Sequence, residues 1–171
     1  MVKKALLIIA SQKFRDEEFL KPKKILEEGG VEVTVASSSL ETATGMLGAK
    51  VKPDILLEDV NVDDYDAIVF VGGSGASEYW NNPLAHSIAR KAEEKGKLLC
   101  AICIAPVTLA NAGLLEGKRA TVFGSEIDKI KAGGAVYTGA GVEKDGRIIT
   151  GQGPEYAPDF GKAILEALRQ D

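Results

Sequence analysis

"LLCAICIAPVTLANAG", residues 98–113, carries the chain's two cysteines, Cys100 and Cys103, where an apolar run gives way to a helical pattern. The segment KLLCAI (97–102) has the length and continuity of a strand buried on both faces. From Pro106 to Asn111 the pattern is that of a helix, with proline in the first turn and Gly113 at the stop. Cys103 therefore stands on the bend between strand and helix. A sharp bend of this kind projects its side chain out of the sheet, the nucleophile-elbow geometry. The helix start adds free N–H groups and partial positive charge, which favour a thiolate below the ~8.5 of a free thiol. Position alone leaves a reactive and an inert cysteine both open.

The same alternation extends in both directions. ALLIIA (5–10) reads as a buried strand, and the polar stretch from Ser11 closes on Gly29-Gly30 as a helix does. VEVTVAS (31–37) returns to strand, and DAIVFVGG (66–73) is a strand running into glycines. Asn82 and Pro83 read as N-cap and first turn of a helix through Lys95. TVF (121–123) is short and extended. VEKDGRIIT (142–150) is a hairpin around Asp145-Gly146, and PDFGKAILEALRQ is a closing amphipathic helix. Strand–helix alternation implies an α/β domain spanning residues 1–171: a largely parallel sheet with helices on both faces. Functional residues then gather beyond the carboxyl ends of the strands, where the loops after 5–10, after Gly72 and at Cys103 converge.

With 171 residues, 45% hydrophobic and 27% charged, the chain is large enough for one good core. A net charge of −4 without a basic cluster speaks against nucleic acid or an anionic membrane as partner. No apolar run nears the ~20 residues of a membrane span. The apolar start is too short for a secretory signal, so two cysteines imply a reducing cytoplasm.

Cys100-Ala101-Ile102-Cys103 has the spacing of a redox couple. Three residues of extended chain, however, separate the α-carbons by about 10 Å, beyond the ~7 Å limit for a disulfide. Cys100 reads as a small buried hydrophobe. The apolar face of the 83–95 helix runs through Leu84 and Ile88, and the single histidine, His86, is two residues from each, hence on the opposite, solvated face. Carboxylates are left to assist the thiol. Asp16 and Glu18 follow the first strand, and Pro22 keeps Glu18 near an irregular helix start. A carboxyl pressed against sulfur in a partly apolar pocket stays protonated and can move protons for a substrate. Gly72-Gly73-Ser74-Gly75 lacks the third glycine of a dinucleotide loop, Glu78 standing in its place. It reads either as a plain tight turn or as a loop bringing an N–H to the site, which with that of Ile104 would make a small anion hole.

These residues resemble the ThiJ/PfpI superfamily over nearly the whole chain. AIC with Pro106 matches its elbow, FRDEEFLKP its glutamate segment, GGSGA its glycine loop, and VEKDGRIITGQGP its late hairpin, closest to the deglycase branch. The resemblance implies a flavodoxin-like three-layer sandwich, Cys103 as reactive thiol, Glu18 as its protonated partner, and Gly73 and Ile104 as nearby N–H donors. It also implies a homodimer or hexamer and no cofactor. Protease-like members carry histidine directly after the cysteine, where this chain has Ile104. Deglycase-like members carry a later histidine near TVFGSE (121–126), its place taken here by Phe123. The chain closes at ALRQD, without the extra C-terminal helix of animal members. The expected activity is therefore a glyoxalase or deglycase acting on small dicarbonyls or their adducts. The alternatives are a redox-responsive cysteine protein, with an oxidant as its small-molecule partner, and, less favoured, a cysteine peptidase.

Overall fold

The computed structural model describes residues 1–170. In chain order the elements are β1 (Lys4–Ile8), α1 (Asp16–Glu28), β2 (Glu32–Ser37), β3 (Ala43–Thr44), β4 (Lys50–Val51), β5 (Ile55–Leu56), β6 (Ala67–Phe70), α2 (Pro83–Glu94), β7 (Leu98–Ile102) and α3 (Pro106–Asn111). They continue with β8 (Arg119–Ala120), α4 (Ile127–Ala132), β9 (Val136–Tyr137), β10 (Val142–Asp145), β11 (Ile148–Gly151) and α5 (Ala157–Arg169).

Seven strands form the central sheet in the order β10-β11-β7-β6-β1-β2-β5. Neighbours pair in parallel except β10 with β11, the hairpin at one edge. Successive side chains of a strand leave opposite faces, so each apolar run feeds two cores. Leu6, Ile8, Ile68, Phe70, Leu99 and Ala101 pack with α2 and α3 on one side. Leu7, Ile9, Val69, Leu98, Cys100 and Ile102 pack on the other, with Phe19 and Leu26 of α1 and Phe160 and Ile164 of α5. The result is the three-layer α/β sandwich of the flavodoxin-like class.

From β1 the chain moves outward to β2, then returns to the opposite flank of β1 with β6. The strand order reverses between β1 and β6, which opens a crevice beyond their carboxyl ends. The loops leaving these two strands lock together there. Gly75 N–H donates to the Lys13 carbonyl at 3.0 Å, and Arg15 N–H to the Gly72 carbonyl at 2.9 Å. At Gly73 the backbone has φ +105°, and a Cβ there would lie 2.3 Å from Arg15 N. Only glycine suits both demands.

Several local expectations are corrected. Residues 121–123, read as short and extended, carry no strand of their own; the strand beside them, β8 at Arg119–Ala120, pairs β9 outside the main sheet. In the hairpin Asp145 pairs with Ile148, so Gly146 and Arg147 are the central turn residues. Leu84 is exposed, and the buried face of α2 runs through Ala85, Ile88, Ala89 and Ala92. That shift turns His86 partly inward, where its Nε2 donates to the Trp80 carbonyl at 2.8 Å. Finally, α1 begins at Asp16, which leaves Pro22 inside it. Lacking an N–H, Pro22 leaves the carbonyl of Glu18, four residues earlier, without its helical donor.

Candidate functional site

Strand β7 ends at Ile102 and α3 begins at Pro106, so the chain reverses within three residues. Cys103 takes that reversal with φ +66°, a left-handed conformation that costs a non-glycine residue about 1–2 kcal/mol. The bend is fastened on both sides: Cys103 N–H donates to the Gly151 carbonyl at 2.9 Å, and its own carbonyl accepts from Phe123 N–H at 2.8 Å. Strain held at one exit of a parallel sheet is a reason to look for function there.

Glu18, in the first turns of α1, is completely buried, and neither carboxyl oxygen has an aligned hydrogen-bond partner. It sits against Cys103. A Cβ at Gly72 would lie 2.2 Å from Glu18 Oε1 and 2.5 Å from Cys103 Cβ, so a bare glycine is what lets acid and thiol meet. Burial lifts the Glu18 carboxyl to about 8, although Cys103 and the Gly72 backbone both act to lower it. The carboxyl is protonated at neutral pH.

Burial also governs the sulfur. Cys103 is 7% exposed, and desolvation pushes its thiol up to about 12, with the charge of an ionised Glu18 adding to the rise. The backbone N–H groups of Gly73 and Ile104 pull the other way. This corrects the expectation of a thiolate well below the free-thiol range. That expectation weighed the helix start and the bend and left out desolvation, which is the larger effect here. Cys100 is fully buried, held above a free thiol by desolvation, and unpaired, as is Cys103.

Cys103 opens on a cavity of about 410 Å³, lined also by Arg15, Met46, Gly73, Trp80, Ile104 and Phe123. The four residues predicted from sequence, Cys103, Glu18, Gly73 and Ile104, thus lie together. Asp16 does not join them. Its carboxylate accepts from Leu47 N–H and Ala49 N–H, both at 2.8 Å, and pins the loop that carries Met46. His86 does not line this cavity. Trp80 escaped the sequence reading, though it is the chain's sole tryptophan. Its Nε1–H donates to the Ile104 carbonyl at 3.0 Å, and its own carbonyl also accepts from Asn111 Nδ2 at 2.9 Å. The indole wall is thereby fixed to the elbow.

No helix among the described residues is long and apolar enough to cross a membrane. The profile of the DJ-1/PfpI family matches residues 3–167. A deglycase of Pyrococcus abyssi is 35% identical over 149 residues, covering 87% of this chain and 90% of its own. A glutathione-independent glyoxalase of Caenorhabditis elegans is 31% identical, covering 97% of this chain and 89% of its own. The crystal structure of a ThiJ/PfpI domain protein from Brachyspira murdochii superposes with a TM-score of 0.97 at 30% identity, covering 99% of this chain and 98% of that one. The chain belongs to the DJ-1/PfpI family.

Proposed function

We propose that this DJ-1/PfpI-family chain is a cofactor-independent glyoxalase or deglycase that converts small 2-oxoaldehydes, free or as adducts, to 2-hydroxy acids through Cys103. One observation carries the reading: a fully buried carboxyl without an aligned partner, kept protonated beside a thiol that opens on a cavity. The relatives named as a deglycase and a glyoxalase support it.

The steps follow from that geometry. With Glu18 neutral, no carboxylate charge opposes loss of the thiol proton, and the Gly73 and Ile104 N–H groups favour the thiolate formed. The sulfur adds to the aldehyde carbon. The new alkoxide takes the Glu18 proton and becomes the hydroxyl of a hemithioacetal. Glu18, now a carboxylate, removes the hydrogen on that same carbon, and the electron pair forms an enediolate with the neighbouring carbonyl. The hydroxyl proton passes between the two oxygens while Glu18 returns its proton to the neighbouring carbon, leaving a thioester. Water cleaves the carbon–sulfur bond, releasing the 2-hydroxy acid and the free thiol, and Glu18 regains from solvent the equivalent of the proton that the thiol released to solvent at the start. The step is an internal redox exchange, so no external oxidant or reductant is consumed.

The test is consumption of methylglyoxal by the purified protein without glutathione. Lactate appearing in equal amount is the expected result; no lactate overturns the proposal.

A second reading rests on the same sulfur. Peroxide would oxidise the thiolate to a sulfenate, and a second equivalent to a sulfinate held by the Gly73 and Ile104 N–H groups. A stepwise gain of oxygen confined to Cys103, in a protein inert towards methylglyoxal, would favour it. Peptidase chemistry has no support in this geometry, because the single histidine is committed to the Trp80 carbonyl and Ile104 follows the cysteine.

A further inference from the structure

Arg15 is the one charged residue lining the Cys103 cavity; apart from Trp80, Gly73 and small polar groups, the wall is apolar. Its guanidinium is forked onto Glu17, with Nε–H to Oε1 at 2.9 Å and Nη2–H to Oε2 at 3.1 Å. A guanidinium carries about five N–H donors, so roughly three stay without a protein acceptor. The pair is about a quarter exposed at each side chain, neither sealed in the core nor free in solvent. Glu17 itself lines an adjoining cavity of about 490 Å³, with Phe123 and Pro154 common to both. Arg15 and Glu17 thus stand where the two spaces meet.

Local structure holds that arginine in place. Its N–H is bonded to Gly72, the glycine between Glu18 and Cys103, and its side chain leaves from the residue just before α1. The charge is therefore anchored through the backbone to the loop beside the reactive groups. A planar, permanently charged fork suits a carboxylate or phosphate better than a neutral group.

We infer that Arg15 selects substrates carrying an anionic group a few atoms from the 2-oxoaldehyde, such as a 2-oxoaldehyde with a terminal carboxylate. This rests on the proposed activity and narrows its substrate class. In the free protein Glu17 occupies part of the fork; a substrate carboxylate takes the unfilled donors and competes for the others. The product from such a substrate is a 2-hydroxy diacid, formed by the same internal exchange.

The experiment has two arms, so that this inference and the proposed activity fail separately. In the first, kcat/KM is measured for 4,5-dioxopentanoate and for methylglyoxal, and the ratio is compared among variants. The ratio should favour the anion in wild type, fall about tenfold in Arg15→Met, be only partly kept in Arg15→Lys, which has the charge without the fork, and rise in Glu17→Gln, where the competitor is gone. The second arm needs no turnover: Cys103 is alkylated with iodoacetate and with iodoacetamide in a Cys100→Ser background. The iodoacetate-to-iodoacetamide rate ratio should drop about tenfold in Arg15→Met and weaken in wild type as salt is raised. Turnover of neither aldehyde, with the alkylation ratio still dependent on Arg15, removes the glyoxalase reading and keeps the anion site. Alkylation ratios equal in wild type, Arg15→Met and Glu17→Gln overturn the inference, whatever the turnover.

Discussion

Cys100 and Cys103 are three residues apart and chemically identical, yet the fold gives them opposite prospects. Cys100 lies within β7, paired in register with Ile149 and Val69 of the flanking strands, and its side chain enters the core between the sheet, α1 and α5. Cys103 lies one residue past the strand, in a left-handed conformation, beside a protonated acid and at the wall of a cavity. Desolvation raises both thiols. What separates them is company: the Glu18 carboxyl and the N–H groups of Gly73 and Ile104 attend the Cys103 sulfur at a cavity wall, while Cys100 has the Ile149 backbone and an otherwise apolar core around it. The proposed chemistry depends on the proton partner and the opening that Cys103 has and Cys100 lacks.

The comparison breaks first on activity. Cys103→Ser should lower glutathione-free methylglyoxal turnover by at least about a thousandfold, whereas Cys100→Ser should stay within about threefold of wild type. Equal losses would mean that the difference in surroundings has no catalytic meaning.

Next in size is Gly72→Ala. The added methyl meets Glu18 Oε1 at 2.2 Å and Cys103 Cβ at 2.5 Å, so the acid must leave the thiol or the loop must shift. Turnover should fall about a hundredfold, and denaturant unfolding should show a loss of about 2–3 kcal/mol. Gly30→Ala provides the contrast, because a Cβ there meets nothing within 4 Å and leaves only the strain of its φ of +86°.

Glu18→Gln sharpens the comparison through pH. The folded carboxyl titrates near 8 against an ordinary value of 4.5. The folded state therefore binds the extra proton between those limits, and wild-type stability falls as pH rises through them. The Gln variant, with nothing to titrate, should gain on wild type across pH 4.5–8, by about 3 kcal/mol at pH 7. Melting of both proteins at pH 4, 6 and 8 measures the gap; a gap that is constant with pH would place the Glu18 titration elsewhere. The same substitution should leave the pH profile of Cys103 alkylation without the step that Glu18 contributes.

The smallest effect is conformational. Cys103→Gly removes the left-handed strain and should raise stability by about 1 kcal/mol. Cys100→Gly, inside a buried strand, should lower it by about 2 kcal/mol. Thermal melts of the two variants should move in opposite directions.

Much of this arrangement is legible along the chain because it is set by short-range rules. Apolar runs of strand length, the Asn82-Pro83 start and the Cys103–Pro106 junction fix alternation, and alternation fixes a parallel sheet with its site at the strand exits. Glu18 and Gly73 could be named because they follow the strands that such a sheet places side by side, and because their motifs resemble a known family. The segment between Ser37 and Asp66 was not legible. Its strands β3, β4 and β5 are two residues each, too short to show a period. The rotation of α2 was misread because Leu84, the largest apolar residue of its first turn, faces solvent while alanines face the core.

The order of residues is enough for the layered α/β plan and the bend at residue 103, because periodicity and turn chemistry are local properties, and the family resemblance names the groups around that bend. How those groups titrate is set in three dimensions, since desolvation of Glu18 and Cys103 depends on how completely α1, the glycine loop and the elbow close over one another. So is the sharing of one cavity by Arg15, Trp80 and Phe123, for no spacing along the chain encodes a distance between loops that only the sheet brings together.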